Sequence, residues 1–334
     1  MRIVVVGAGR MGAIRVEDLV ADPRVDEVLV TNRTEARAAA VAARFGAGHL
    51  PWSEIDGTPA EAFVVALATD AHAGLLARVL SRRSPVLCEK PIAPTLADTE
   101  SAMAMAQGYG SALQIGFQRR FDPGIRAVRD LIDDGGLGVV YSLRLISHDH
   151  APSGREFIAG SGGIFRDLHV HDLDLVRWLT GSDIETVFAT KAVRAHPEYA
   201  EFDDADVTVI HAVTQSGVQV SIHGARHDAL GLDVRVEAFG SRDSVTTGLN
   251  HRSPIRSVDA DLGLNADPYL GFVDRFREAF RAETAAFVSL VAGTGPNPCP
   301  PEAALESLRA AIACEVSVAA GGPVRVADVR AEGR

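Results

Sequence analysis

Short, uniformly apolar runs alternate with helical stretches through the first third of the chain. Residues 2–6, 27–31, 62–68, 85–88 and 112–115 read as strands, and 72–83 and 95–107 as helices between them. Strands with no polar face, each followed by a helix, imply a parallel, doubly wound α/β sheet covered on both sides. Past Gly116 the period falls to two. Residues 207–213, 218–222 and 233–238 alternate apolar and polar positions, and Thr214-Gln215-Ser216-Gly217 reads as a hairpin turn between the first two. An antiparallel sheet with one buried and one open face follows, hence a second, α+β domain. The border falls near 119–123, giving domains 1–120 and 121–334. Tyr269, Phe272, Val273, Phe276, Phe280, Phe287 and Val291 recur at helical spacing and read as core packing. The proline-rich stretch 296–301 then breaks the chain before a last amphipathic helix.

The first strand runs directly into Gly7-Ala8-Gly9-Arg10-Met11-Gly12, a G-x-G-x-x-G turn, and a second strand follows at βαβ distance. The first glycine permits the tight turn, the second lets backbone amides approach a pyrophosphate, and the third lets helix and strand pack closely. Dinucleotide binding is the reading, with Gly7, Gly9, Arg10, Met11 and Gly12 as cofactor contacts. The second strand ends in Thr31-Asn32-Arg33-Thr34, where an NAD site usually places an acid for the ribose 2′-hydroxyl. Asn32 carries no charge to repel a 2′-phosphate, and Arg33 is able to pair with one. The cofactor is therefore NAD or NADP, with a slight lean to NADP or dual use.

Composition excludes several classes. The chain has 334 residues, 47% hydrophobic and 23% charged, enough for two cores. A net charge of −11 argues against nucleic-acid and acidic-membrane partners. No run reaches transmembrane length, and the N-terminus enters a strand rather than a signal peptide. Cys88, Cys299 and Cys314 are odd in number and widely spaced, so a reduced, cytoplasmic protein is expected.

Two constellations carry chemistry. Cys88-Glu89-Lys90-Pro91 ends a strand of the parallel sheet, where ligands of such sheets bind. A lysine ammonium there donates hydrogen bonds to a substrate hydroxyl and stabilises a developing alkoxide. Downstream, Gly162-Gly163 precede a helix whose apolar positions are Phe165, Leu168, Val176 and Leu179. On it Asp167 and His171 stand four apart on one face with Asp174 roughly beneath, while His169 points elsewhere and reads as packing or hydrogen-bonding. A carboxylate beside an imidazole raises its basicity and fixes its tautomer, as a general base requires. His148-Asp149-His150 and Asp167-x-His169-x-His171 offer metal-ligand types, but the H-x-H spacing suits strands and hydride transfer needs no metal, so none is assigned.

With these motifs in this order, the chain resembles the Gfo/Idh/MocA oxidoreductases over nearly its whole length. The resemblance implies an N-terminal Rossmann domain and a C-terminal α+β domain with a large, mostly antiparallel open sheet. It puts the family's catalytic group on Lys90, Asp167 and His171. Gly116-Phe117-Gln118-Arg119-Arg120-Phe121-Asp122 resembles a segment of inositol dehydrogenases, so Arg119 and His150 fall where those enzymes contact substrate hydroxyls. Ala68, Thr69 and His72 resemble the loop beside the nicotinamide ribose, and Glu89 and Lys90 complete the implied cofactor contacts. Asn32-Arg33 replaces an acid of the NAD-dependent inositol enzymes, and Phe272 and Phe280 stand where those tend to show Trp and Tyr. A dehydrogenase of a ring secondary alcohol, on a cyclitol or sugar, is therefore expected, as a homo-oligomer (dimer or tetramer). The rival readings are an NADPH-dependent ketoreductase on a nucleotide-linked sugar and a non-catalytic dinucleotide sensor.

Overall fold

A computed structural model describes residues 1–330, with Asp70 described in its backbone only. The chain divides into two compact units, one formed by Met1–Gln118 with Glu278–Leu305, the other by Arg119–Arg277 with residues 306–330.

The first unit begins β1 (Arg2–Val6), α1 (Arg10–Val20), β2 (Glu27–Thr31), α2 (Glu35–Phe45) and β3 (Gly48–His49). It continues with β4 (Ala62–Val65), α3 (His72–Leu80), β5 (Val86–Glu89), α4 (Leu96–Tyr109) and β6 (Leu113–Gly116). The six strands are parallel in the order β3-β2-β1-β4-β5-β6. That is the doubly wound order of two mononucleotide-binding halves meeting at β1 and β4. Val4, Val5, Phe63 and Leu87 have no exposed surface, because helices cover both faces. β4 stops three residues short of the apolar run 62–68. Its last link to β1 is the Ala66 N–H donating to the Val6 carbonyl at 2.9 Å, after which Gly7 turns away to Thr31. α4 starts at Thr95, whose hydroxyl accepts the Asp98 N–H at 3.1 Å, and gives way at Gly110 in the left-handed conformation.

The second unit holds α5 (Pro123–Asp133), β7 (Val140–His148), α6 (Arg155–Ser161), a π-helical turn (Phe165–His169) and α7 (Val170–Thr180). Then come β8 (Ile184–Ala192), β9 (Val207–Thr214), β10 (Gln219–Ala225), β11 (Asp233–Gly240), β12 (Ser244–Thr247) and the short α8 (Phe272–Arg275). α9 (Arg277–Val291) leads back to the first unit, α10 (Pro301–Ala320) returns to the second, and β13 (Val324–Arg325) is its last strand. The sheet order is β12-β11-β7-β10-β9-β8-β13, antiparallel throughout except for β7 beside β10. Thr208, Ile210 and Ala212 are buried while Val207, Val209 and His211 between them are exposed, as period two demands. Gly217, at φ +86°, closes the β9–β10 hairpin.

Two stretches depart from the sequence pattern. Residues 268–292 are not one helix. The Tyr269 carbonyl accepts the Leu232 N–H at 2.6 Å, tying that segment to the chain before β11. Phe276, at φ −113° and ψ 19°, then interrupts the helix. Residues 278–305, placed in the second domain by a border at 120, pack in the first unit. Phe287 and Val288 sit in its core with Ile3, Val16, Leu19 and Val30. Burying a phenylalanine stabilises by roughly 1.5–3 kcal/mol, so the apolar side of α9 goes where that core is open. The last four residues of the expected 121–334 domain lie outside the described residues. Among the described residues no helix is long and apolar enough to cross a membrane, and the three cysteines are buried and unbridged.

Candidate active site

In the first unit the glycine turn meets its steric requirements residue by residue. Gly7 sits at φ +123°, and a Cβ there would lie 2.3 Å from the Ala66 carbonyl oxygen. A Cβ on Gly12 would lie 1.9 Å from the Gly7 carbonyl oxygen. Gly9, the N-cap of α1, has no heavy atom within 4 Å of such a Cβ, so space is open before the helix. Gly7 and Gly12 are glycines because of backbone approach, whereas Gly9 leaves room for an anion at a helix N-terminus with no acid in its first turn. The residues fit a dinucleotide pyrophosphate, with Arg10 and Met11 as the first turn of α1.

Asn32, just past β2, accepts the Ala8 N–H at 3.4 Å and donates to the Thr34 carbonyl at 3.2 Å. Its amide is thereby tied to the glycine turn. Arg33 is exposed and stacks over the Trp52 ring, 5.7 Å from its centroid. Ala68 and Thr69 lie at the head of a 3₁₀ turn after β4. His72 is turned inward instead, at 1% exposure. Its Nδ1 lies 2.9 Å from the Pro91 carbonyl and its Nε2 3.1 Å from the Leu67 carbonyl. The ring joins the loop after β4 to the Glu89-Lys90-Pro91 segment, so here its role is to position those loops.

Lys90 is half-buried at the end of β5. The residue before it is fixed by a cluster that sequence spacing did not reveal. Arg15 of α1 donates from Nε to Glu89 at 2.8 Å, from Nη2 to Glu283 at 2.5 Å and from Nη1 to Thr284 at 3.0 Å. Arg15 and Glu283 have no exposed surface. Burial works against the Arg15 charge, but Glu283 and Glu89 outweigh it and hold its pKa above the ordinary arginine value. The Glu89 carboxylate is thus engaged with protein. Gly116 on β6 leaves room for it, since a Cβ there would lie 2.7 Å from Oε2.

In the second unit the helix after Gly162-Gly163 begins as a π-turn that contains Asp167, and His171 follows in the first turn of α7. The Asp167 N–H donates to the Gly163 carbonyl at 3.0 Å. Its carboxylate accepts from Nη1 of Arg226 at 2.8 Å, with the Asp149 carboxylate 3.6 Å from the same nitrogen. Burial pushes the Asp149 carboxyl above the usual carboxylate range against the pull of Arg226. His171 is buried. Asp174, expected beneath Asp167 and His171, is engaged elsewhere, gripped by Arg120 at 2.6 and 2.8 Å.

His169 is fully buried, with Nδ1 2.8 Å from Asp172 and Nε2 2.6 Å from Thr208. Gly224 on β10 admits the ring, since a Cβ there would lie 2.3 Å from Nε2. Arg119 joins the same group: it donates to Asp172 at 2.7 Å and to Ser147 at 2.8 Å, at 5% exposure. Burial raises the Asp172 pKa, but Arg119, His169 and Ser147 together bring it below the usual value. Arg119 therefore serves a buried ion pair, and His150 is half-buried with Nδ1 3.4 Å from the Asp228 carbonyl. The ligand types in the sequence are gathered differently from their spacing: ligand atoms of His148, Asp228 and Asp233 lie within 4.8 Å of one another. Arg235 holds Asp233 at 2.8 Å, and His148 Nδ1 lies 3.3 Å from Asp228.

A glycine turn opening a 3-2-1-4-5-6 parallel sheet, in a chain whose second unit is built on an open mixed sheet, defines a two-part dinucleotide-binding protein. Residues 1–117 match the NAD-binding Rossmann-fold oxidoreductase family, and residues 125–246 the GFO/IDH/MocA C-terminal domain. The myo-inositol dehydrogenase Hyg17 of Streptomyces leeuwenhoekii is 34% identical, over 96% of this chain and 98% of its own. Inositol 2-dehydrogenase of Rhizobium meliloti is 30% identical, over 87% of this chain and 88% of its own. The crystal structure of a myo-inositol dehydrogenase from Corynebacterium glutamicum superposes with a TM-score of 0.89 at 30% identity, covering 97% of this chain and 98% of that one. The chain belongs to the GFO/IDH/MocA family and is an enzyme, an NAD-binding oxidoreductase.

Proposed function

We propose that the chain oxidises a ring secondary alcohol of a cyclitol or sugar, or reduces the matching ketone. The observation that carries the reading is the presence of Lys90, Asp167 and His171 together in a chain whose full-length relatives are named inositol dehydrogenases. Bound at the glycine turn, the nicotinamide dinucleotide supplies the two-electron acceptor for the carbinol hydride. His171 takes the hydroxyl proton as general base, and Asp167 orients the imidazole and balances its charge. Lys90 donates hydrogen bonds to the oxygen and stabilises negative charge as it develops there. Gly7, Gly9, Arg10, Met11 and Gly12 form the pyrophosphate turn, with Ala68 and Thr69 in the following loop. His150 is the substrate-side contact in this proposal, while Arg119 holds Asp172 and Ser147.

Dual use of NAD and NADP is part of the same reading. No carboxylate stands at position 32, and Arg33 is exposed on the Trp52 ring, its charge available to a 2′-phosphate. The test follows reduced-nicotinamide absorbance with NAD and NADP, each offered inositols and free pyranoses. Turnover of an inositol with either cofactor is the expected result. Silence across the panel with retained NADPH binding would favour a ketoreductase on a nucleotide-linked sugar, and a tenfold or greater preference for NAD would remove the NADP assignment.

A further inference from the structure

We propose that Arg226 is a positioning residue for the reaction, holding the Asp167 carboxylate in a single orientation from which it orients His171. The inference rests on the roles assigned above to Asp167 and His171. Arg226 follows β10 directly, and Asp149 follows β7, the strand paired in parallel with it through His148 and Ala225. The guanidinium thus emerges where two adjacent parallel strands end, at 1% exposure. Its Nη1 is 2.8 Å from Asp167 Oδ2 and 3.6 Å from Asp149, and its Nη2 is 4.0 Å from Asp204.

Of these three carboxylates only the first lies at hydrogen-bond distance. Asp204 is held from its other side, its Oδ1 accepting the Ile164 N–H at 2.9 Å at the start of the π-turn, and its Oδ2 stays 4.0 Å from Nη2. Asp149 is the weaker claimant to the charge, because burial, and the Asp167 charge after it, favour its neutral form against the pull of Arg226 and Arg119. The Arg226 charge is therefore directed at Asp167. Asp167 itself lies in a π-turn, where the regular side-chain ladder of an α-helix is interrupted, so an anchor from another element sets its direction.

Arg226 also keeps donors beyond its contact with Asp167. Its Nε and Nη2 are buried with no hydrogen-bond partner among the described residues. Each such donor costs the fold its lost hydration, a penalty that a saturated ion pair avoids. That charge stands beside a residue assigned to proton chemistry.

The experiment compares Arg226→Met, Arg226→Lys, Asp167→Asn and the double Arg226→Met/Asp167→Asn in the full-length enzyme, measuring kcat, KM, dinucleotide Kd and Tm. The expected result is a fall in kcat of about 30-fold or more in Arg226→Met with dinucleotide Kd within about twofold. Arg226→Lys restores part of kcat, and the double variant falls no more than about twofold below Asp167→Asn, because both changes remove one interaction. Multiplicative losses in the double variant, or an unchanged kcat in folded Arg226→Met, would overturn the proposal. If Arg226→Met does not fold, Arg226→Lys decides: a lower kcat at unchanged dinucleotide Kd supports positioning, and wild-type kcat refutes it. An Asp167→Asn enzyme with wild-type kcat removes the underlying role assignment, and this inference with it.

Discussion

Arg15 in the first unit and Arg226 in the second are both sealed from solvent, at 0% and 1% exposure, and both face more than one carboxylate. Arg15 uses Nε, Nη1 and Nη2 on Glu89, Thr284 and Glu283. Arg226 makes one short contact, to Asp167, and keeps Nε and Nη2 unsatisfied among the described residues. The first arrangement is an anchor: it fixes the residue before Lys90, and every guanidinium nitrogen of Arg15 has a partner. The second is incomplete by comparison, and its single strong contact falls on a residue proposed to act in the chemistry. The two guanidiniums are equally buried and differ in how many of their donors the protein engages.

That contrast is open to attack from several sides. The largest effect is expected from Arg15→Met, which leaves Glu283 and Glu89 without their partner in the interior. Breaking a buried pair costs about 3–5 kcal/mol, so chemical denaturation should show a large fall in midpoint at unchanged slope. A near-wild-type midpoint would mean that the Arg15 cluster is no anchor.

His171→Ala probes the other unit and should do the reverse. Loss of a general base lowers turnover about 10²–10⁴-fold, with thermal stability and dinucleotide binding kept. Wild-type turnover would take His171 out of the proposed chemistry.

Within the glycine turn the same division recurs on a smaller scale. Gly12→Ala forces a Cβ to 1.9 Å from a carbonyl and should destabilise the first unit. Gly9→Ala enters open space and should leave Tm unchanged while weakening dinucleotide binding about tenfold, roughly the 1.4 kcal/mol of one displaced contact. Equal effects of the two on Tm would erase the distinction between a steric and a binding glycine.

The smallest effect concerns pH. Burial raises the Asp206 pKa, but the N–H groups of Ala195, Arg194 and His196 outweigh it and hold the carboxyl below its usual value. A depressed folded pKa contributes stability that is complete above the ordinary carboxylate value, about 4, and is lost as pH falls through the folded value. Wild-type protein should therefore lose denaturation midpoint below about pH 4. Asp206→Asn should show a lower midpoint at neutral pH and a shallower acid limb, and parallel curves for the two would exclude Asp206 as a source.

Much of this molecule is local in origin. The apolar runs of the first third are strands because nothing in them tolerates water, and the glycine spacing marks the turn because only glycine accepts the backbone approach at Gly7 and Gly12. The alternation at 207–213 gave the open sheet for the same kind of reason, a side-chain period that matches the pleat. His169 was separable from His171 by its position around the helix. Tertiary structure alone decided the rest. Residues 278–305 carry an apolar helix face that would suit either core, and only the packing of Phe287 and Val288 beside Ile3 and Leu19 chose the first unit. His72 and Arg119 were legible as polar residues at the right places, yet burial turned them to backbone carbonyls and to Asp172. The partners Arg15–Glu283 and Arg226–Asp167 lie 268 and 59 residues apart. Sequence periodicity reports which face of an element is apolar; which charge meets which across such distances depends on how the elements stack, and no spacing within the chain encodes it.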